Sequence, residues 1–187
     1  MDIDELIDRF VERINSSPRL SLLDFEVPPD LRLSKTSSIG WDWKVKASDE
    51  IDWIEPLEAR LRIRFPDSFR SLVTRYQFPE LDVGPLMLFS NTSSGLFYEL
   101  RDRIFCDECL TETLHPNGLI AFALPATGSY DQICFDTRRP TPDRDFPIVR
   151  VDHEEILCNE QLVVIEEVAP SFCQFVSTYL AGGYPSE

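Results

Sequence analysis

The chain is short of positive charge. Its 187 residues include 18 lysines and arginines against 33 aspartates and glutamates, which gives a formal net charge of −15. Binding to nucleic-acid phosphates requires a basic face, so the deficit argues against a general nucleic-acid-binding protein. It argues equally against attachment to an anionic membrane surface. The surplus of acid instead favours a basic partner.

Glycine and long apolar runs are also scarce. There are seven glycines, and neither G-x-G-x-x-G nor G-x-x-x-x-G-K-[ST] occurs. No apolar run reaches the roughly 18 residues that a membrane-spanning helix needs. The first residues, Met-Asp-Ile-Asp-Glu, are acidic where a secretory signal would be basic. Together with five cysteines, an odd number, these features predict a cytoplasmic protein with reduced thiols.

An amphipathic helix is predicted at residues 2–15. Its apolar residues follow the spacing i, i+3, i+4, i+7, i+8 and i+11, beginning at Ile3. This stripe must be buried, either on the main domain or against a partner. Residues 16–40 contain three prolines and a serine-rich cluster, which predict an irregular connector. We therefore expect an N-terminal extension at residues 1–38 and a main domain at residues 39–187.

The main domain is predicted to be α+β. Trp41 and Trp43 alternate with polar residues in a short strand or extended anchor, and helices are expected over about 49–63 and 67–77. Pro56 either occupies the first turn of a helix that begins near Glu55 or kinks it. Strands are expected at 86–89, 119–124, 132–135, 148–151 and 162–165, residues 96–114 have mixed helical character, and a last helix is expected over about 170–181. This order predicts helices packed against a mainly antiparallel, twisted sheet.

Two patterns could indicate metal chemistry. Cys106 and Cys109, with His115 six residues later, could supply three zinc ligands, although the second C-x-x-C of a zinc ribbon is missing. His153-Glu154 resembles the start of H-E-x-x-H, but the fifth position is Leu157. Two ordinary reduced cysteines, one inside the fold and one outside, are the favoured explanation of the first pattern. A metal-dependent enzyme that uses Cys106, Cys109 and His115 is therefore a third hypothesis, behind two kinds of binding protein.

The acidic residues are clustered. Residues 152–167 contain six acids and no base, whereas five arginines lie between residues 60 and 75. One interpretation is a solvated face with helical pairs such as Glu58 with Arg62. The other is an acidic patch that accelerates encounter with a basic protein.

Six short motifs occur in order along residues 41–181. They read W-I-x-P-L-E-x-x-L from residue 53, F-P-x-S-F from 65, L-M-L-F from 86, P-x-x-G-x-Y-D-x-I-C-F-D from 125, P-I-V-x-x-D-H-E from 147 and V-A-x-S-F-x-x-F from 168. Together they resemble the SUKH superfamily, the cell-wall-assembly-regulator type of domain. Phe65 stands where the family has leucine, and residues 90–118 and the N-terminal helix match none of its motifs.

The resemblance implies a protein-binding module rather than an enzyme, with no cofactor. Bacterial members are often immunity proteins that bind the catalytic domain of a toxin, and eukaryotic members are regulatory adaptors. Because many such toxins are basic nucleases, the charge of −15 agrees with the first role. A regulatory or scaffolding adaptor for an endogenous protein, binding through the helix at 2–15, is the alternative.

Polar residues at two strand ends are candidates for the partner-binding site. Asp136 ends one predicted strand, and Asp152-His153-Glu154 ends the next. If these ends lie together, they either cap the sheet structurally or form one partner-binding rim. The rim would consist of Tyr130, Asp131, Asp136, His153 and Glu154.

Overall fold

Helices cover both faces of a central antiparallel sheet. The computed structural model describes residues 2–16, 19–21, 27–37, 40–48, 53–92, 100–142 and 144–184. In chain order the elements are α1 (Ile3–Ile14), β1 (Arg19–Ser21), β2 (Arg32–Ser37), β3 (Gly40–Trp43), β4 (Lys46–Ala47), α2 (Ile54–Leu61), α3 (Asp67–Arg75), β5 (Tyr76–Gln77), β6 (Leu81–Val83), β7 (Leu86–Leu88), α4 (Leu100–Phe105), α5 (Glu108–Leu114), β8 (Leu119–Pro125), β9 (Gln132–Asp136), β10 (Ile148–Val151), α6 (His153–Asn159), β11 (Val164–Ala169) and α7 (Phe172–Leu180). The predicted α+β class is confirmed.

Six strands form the central sheet as a meander. The strand order is β11-β10-β9-β8-β7-β6, and each strand pairs antiparallel with the next one in sequence. The predicted strands at 86–89, 119–124, 132–135 and 148–151 correspond to β7 to β10 within about one residue. The strand expected at 162–165 begins two residues later, as β11. Sequence reasoning did not identify β6, which is only three residues long.

The core lies between one face of this sheet and the helices α3 and α7. Phe122 and Phe135, on neighbouring strands, stack with their ring centroids 4.0 Å apart. Phe69 of α3 meets both rings edge-on, and Phe172 of α7 closes the cluster. The opposite face of the sheet is covered in part by α4 and α5, which contact β8.

The N-terminal helix α1 is part of the same core. Five of the six apolar residues of its stripe are buried, Ile3 is exposed, and the helix packs on α3 and α7. The predicted helix is thus confirmed, and its apolar face contacts the main domain. Polar contacts hold the same interface, because the Ser71 hydroxyl donates to Asp4 and the Tyr76 hydroxyl donates to Asp8, each at 2.6 Å.

The prediction of an irregular connector at 16–40 is wrong for the described residues. There β1 and β2 pair antiparallel with either side of β3, the strand of Trp41 and Trp43, in a three-stranded sheet. Proline and serine pointed to a loop, but backbone pairing with β3 outweighs those weak local preferences. The division at residue 38 stays a prediction.

The helix expected at 49–63 is shorter. In the described residues α2 begins at Ile54, so Pro56 lies in the first turn, where proline is tolerated. The predicted start at residues 49–52, including Ile51, lies outside the described residues. The helix ends where Arg62 adopts a left-handed backbone, φ 57°. The predicted Glu58–Arg62 pair is wrong, because Glu58 instead pairs with Arg70 and accepts the Phe65 N–H at 2.8 Å.

Residues 96–114, expected to have mixed helical character, contain two short helices, α4 and α5, with residues 96–99 outside the description. Asp107 caps α5 by accepting the Leu110 N–H at 3.0 Å. The last helix, α7, agrees with its prediction within two residues at each end. Among the described helices, none is both long and apolar enough to cross a membrane.

Candidate partner-binding site

Antiparallel pairing separates the two predicted strand ends. Val151, the last residue of β10, lies opposite Gln132, the first residue of β9. Asp131 and His153, just outside those residues, therefore meet at one end of the sheet. Asp136 ends β9 at the opposite end, where Ile148 of β10 lies beside Phe135. The expectation that all five candidate residues form one rim is wrong for Asp136.

Asp131, Arg150 and His153 form a compact cluster, called here the His153 cluster. Arg150 donates two hydrogen bonds to Oδ2 of Asp131, from Nε at 2.8 Å and Nη2 at 2.6 Å. The other oxygen, Oδ1, lies 3.0 Å from Nδ1 of His153 and accepts the His153 backbone N–H at 3.3 Å. Asp131 is 6% exposed, so the cluster fixes the orientation of the imidazole from inside the protein.

These contacts determine the protonation of Asp131. Burial alone would raise the pKa of this carboxyl group, but hydrogen bonds from His153 and Arg150 lower it to about 2. The group is therefore a carboxylate at neutral pH. Because its folded pKa lies below the ordinary value of 3.8, its contribution to stability is present above about pH 4 and is lost as the pH falls towards 2.

Asp131→Asn is expected to lower the free energy of unfolding at pH 7 by about 2 kcal/mol. The amide cannot accept the Arg150 guanidinium as a carboxylate does. Urea denaturation between pH 7 and pH 2 measures the difference, which should shrink as the wild-type carboxylate becomes protonated. Asp102→Asn, at an exposed side chain of α4, is the matched control and should change stability little at any pH. A pH-independent loss for Asp131→Asn would contradict this role.

Asp136 has a structural environment of its own. It is 2% exposed and receives hydrogen bonds from the side chains of Arg138 and Arg139. Burial opposes ionisation, but these two arginines lower the pKa of Asp136 below its ordinary value. Both arginines follow the strand directly, so the three residues close the turn after β9.

A groove lies beside the His153 cluster. It has a volume of about 390 Å³ and runs between α4 and α5 on one side and α6 on the other. Its apolar lining comes from helix and strand residues, and Tyr130, His153 and Leu157 also line it. Tyr130 is 71% exposed, and its ring lies 5.9 Å from that of His153 between centroids. The groove therefore has an apolar floor and an exposed aromatic residue at its mouth.

Glu154, the fifth candidate, lies beside His153 in the first turn of α6 and is exposed. Asp152 caps the start of the helix, because its Oδ1 accepts the N–H groups of Glu154 and Glu155. Sequence reasoning treated Asp152 to Glu154 as a strand end and missed α6. An aspartate followed by two glutamates and then Ile156 is a helix-start signal that could have revealed it.

The candidate metal ligands do not come together as predicted. Among the described His, Cys, Asp and Glu side chains, the one group whose ligand atoms lie within 4.8 Å of one another is Asp131, Asp152 and His153. Both oxygens of Asp131 are already engaged, by Arg150 and His153, and Oδ1 of Asp152 accepts the N–H groups of α6. The Arg150 guanidinium beside them would repel a cation. His115 instead packs edge-on against Phe105, and burial, with the nearby Arg60, lowers its pKa.

The order of elements and the spacing of the motifs agree with a comparison against protein families. A sequence model of the SMI1 / KNR4 family (SUKH-1) matches residues 50–178. The chain belongs to this family. The match begins just before α2 and ends within α7, so it includes the central sheet and the whole His153 cluster. A comparison with curated proteins found no match to the SUKH-1 chain.

The structure adds residues to the candidate site that were not chosen from the sequence. Tyr130, Asp131, His153 and Glu154 lie at one end of the sheet, as the motifs suggested. Arg150 was not chosen, because an arginine inside an apolar strand shows no partner in sequence. The groove residues of α4 and α5 were not chosen either, since no family motif covers that segment.

Proposed function

We propose that this SUKH-1 domain is an immunity protein that neutralises a basic, nuclease-like toxin domain by stoichiometric binding, without turnover. The observation that carries the proposal is the distribution of acid over the α6–β11 segment. Glu154, Glu160, Glu166 and Glu167 are all exposed there, and the segment has no base of its own. Coulombic attraction would orient a basic partner towards this surface before contact.

Internal pairing neutralises only part of this acid. Arg150 lies 3.4 Å from Glu166, and Arg139 lies 3.0 Å from Glu167. Both arginines also bind a buried aspartate, so each is shared between two carboxylates. The surface therefore keeps a net negative charge, which supports steering of a basic protein.

The proposal is tested by co-expression with the gene that lies beside this one. A neighbouring gene for a large secreted protein with a variable C-terminal domain would supply the candidate toxin. Co-expression should protect cells from that C-terminal domain, and the two proteins should copurify. A toxin that remains lethal and does not copurify would contradict the proposal.

Association should depend strongly on salt. Raising the ionic strength from about 0.05 to about 0.5 M shortens the Debye length from roughly 14 to roughly 4 Å, which screens long-range attraction. We expect the association rate with the toxin domain to fall by about tenfold or more, while the dissociation rate changes much less. Stopped-flow or surface-based kinetics at both salt concentrations measures this. Equal association rates would remove electrostatic steering from the mechanism.

The alternative function, an adaptor that binds a partner through the apolar face of α1, is less well supported. The apolar stripe of α1 is buried against α3 and α7, so this helix cannot present that stripe to an endogenous partner without leaving the core. An adaptor would have to bind through another surface.

A further inference from the structure

The groove beside the His153 cluster has an apolar floor. Ile104, Leu110 and Leu114 line it from the helices α4 and α5, and Ala121 and Leu124 line it from β8. Its volume, about 390 Å³, is at the low end of the range for ligand clefts. A cavity of this size accommodates one large side chain and its immediate neighbours.

The mouth of the groove presents two exposed apolar side chains. Tyr130 is 71% exposed and Leu157 is 48% exposed. The Tyr130 ring lies beside the ring of His153. Asp131 contacts the His153 imidazole and is itself bound by Arg150. A tyrosine side chain has two χ angles and provides a large contact area at a low entropic cost, as expected of residues that dominate binding energy.

The helices on either side of the groove carry a surplus of acid, although the groove itself is lined by Arg103 as well as Asp107. Residues 100–114 and 152–160 together contain eight carboxylates against two arginines. Asp107 and Asp152 are occupied as helix caps, but Glu108, Glu112, Glu154 and Glu160 are exposed. A segment that enters this groove meets an apolar floor, and the exposed surfaces of the flanking helices carry more carboxylates than arginines.

We propose that the groove receives one large aromatic or aliphatic side chain of the partner protein, flanked in the partner's sequence by lysine or arginine. The apolar side chain fills the floor and packs against Tyr130 and Leu157, and the basic neighbours lie over the exposed carboxylates of the helices on either side. This inference deepens the proposed function and rests on it for the identity of the partner. It names the binding face and the chemistry that this face recognises.

Short peptides test the inference without the toxin. The probes are Lys-Lys-Trp-Lys-Lys, Lys-Lys-Ala-Lys-Lys and Glu-Glu-Trp-Glu-Glu, with blocked termini, titrated into the full isotope-labelled chain and followed by NMR. We expect saturable shifts at Leu110, Ala121 and Leu157 with the first peptide, at a Kd of about 1 mM. The alanine and glutamate peptides should bind at least about tenfold more weakly.

Two variants locate the contact on this chain. Tyr130→Ser and Leu157→Ser truncate exposed side chains, so both should fold with an unchanged thermal midpoint, and each should weaken the tryptophan peptide by about tenfold. Leu33→Ser, at a 55% exposed leucine of β2, is the matched control and should bind normally. Absence of groove shifts at about 5 mM peptide, or unchanged binding by both variants, would overturn the inference.

The two proposals fail in different ways. If the chain protects cells from the toxin and Leu157→Ser protects equally well at the same affinity, the groove is not the binding face and the immunity function stands. If the tryptophan peptide binds in the groove but no neighbouring toxin is neutralised, the groove chemistry stands and the immunity function fails.

Discussion

Removal of residues 1–16 is expected to leave the rest of the chain unable to fold stably at 25 °C. The deletion takes away the buried side chains of Leu6, Ile7, Phe10, Val11 and Ile14. Full burial of one such side chain contributes roughly 1.5–3 kcal/mol, so five contribute about 7–15 kcal/mol. This is as large as the whole stability of an ordinary domain, about 5–15 kcal/mol.

Loss of α1 also uncovers the surfaces against which it packs. Arg75 of α3 forms ion pairs with Asp4 and Asp8, Ser71 donates to Asp4 and Tyr76 donates to Asp8. All four side-chain contacts disappear with the helix. Tyr76 is left without its acceptor; in the intact chain burial and the Asp8 contact raise its pKa to about 12.

Circular dichroism with thermal melting measures the outcome. The truncated chain should show no cooperative transition, whereas a full-length chain with Glu5→Gln and Glu12→Gln, two exposed positions on α1, should melt like the wild type. A truncated chain that melts cooperatively at the wild-type midpoint would show that α1 is a separable extension, as the division at residue 38 predicts.

Phe69→Ala is expected to lower the free energy of unfolding by about 3–5 kcal/mol. The ring is 2% exposed and lies 5.2–5.3 Å, between centroids, from the rings of Phe65, Phe122, Phe135 and Phe172. It therefore joins α3, the central sheet and α7. Truncation removes the apolar area and leaves a cavity that rigid neighbouring rings cannot fill.

Urea denaturation of the full chain measures this loss, and the thermal midpoint should fall by about 10 °C. Phe69→Leu is the matched control, because it keeps most of the volume and should lose less than about 1.5 kcal/mol. A loss below about 1 kcal/mol for the alanine variant would contradict the assignment of Phe69 to the centre of the core.

Periodicity predicted the long, amphipathic elements. The apolar stripe of α1 has a single physical interpretation, burial of one face. The segments with no such stripe could not be predicted. Strand β1 has three residues and β2 is mostly polar, and both exist through pairing with β3, which leaves no apolar pattern in their own sequence.

The positions of the candidate site residues were predicted only in part, because they also depend on strand pairing. Tyr130, Asp131, His153 and Glu154 lie together because β9 and β10 pair, and neighbouring strands were expected to pair. Asp136 was misplaced because antiparallel pairing joins the end of one strand to the start of the next. The groove depends on α4, α5 and α6, whose mutual placement is a tertiary feature.

The central claim is that this SUKH-1 domain acts by occupying its partner and transforms no substrate. The measurement that tests it most directly is a titration of the toxin domain's activity at concentrations well above the Kd. We expect toxin activity to fall linearly and to reach zero at one chain of this protein per toxin domain. The toxin recovered after denaturation should be chemically unchanged. Complete loss of activity at a small fraction of that ratio, with a toxin altered in mass, would show turnover and contradict the account.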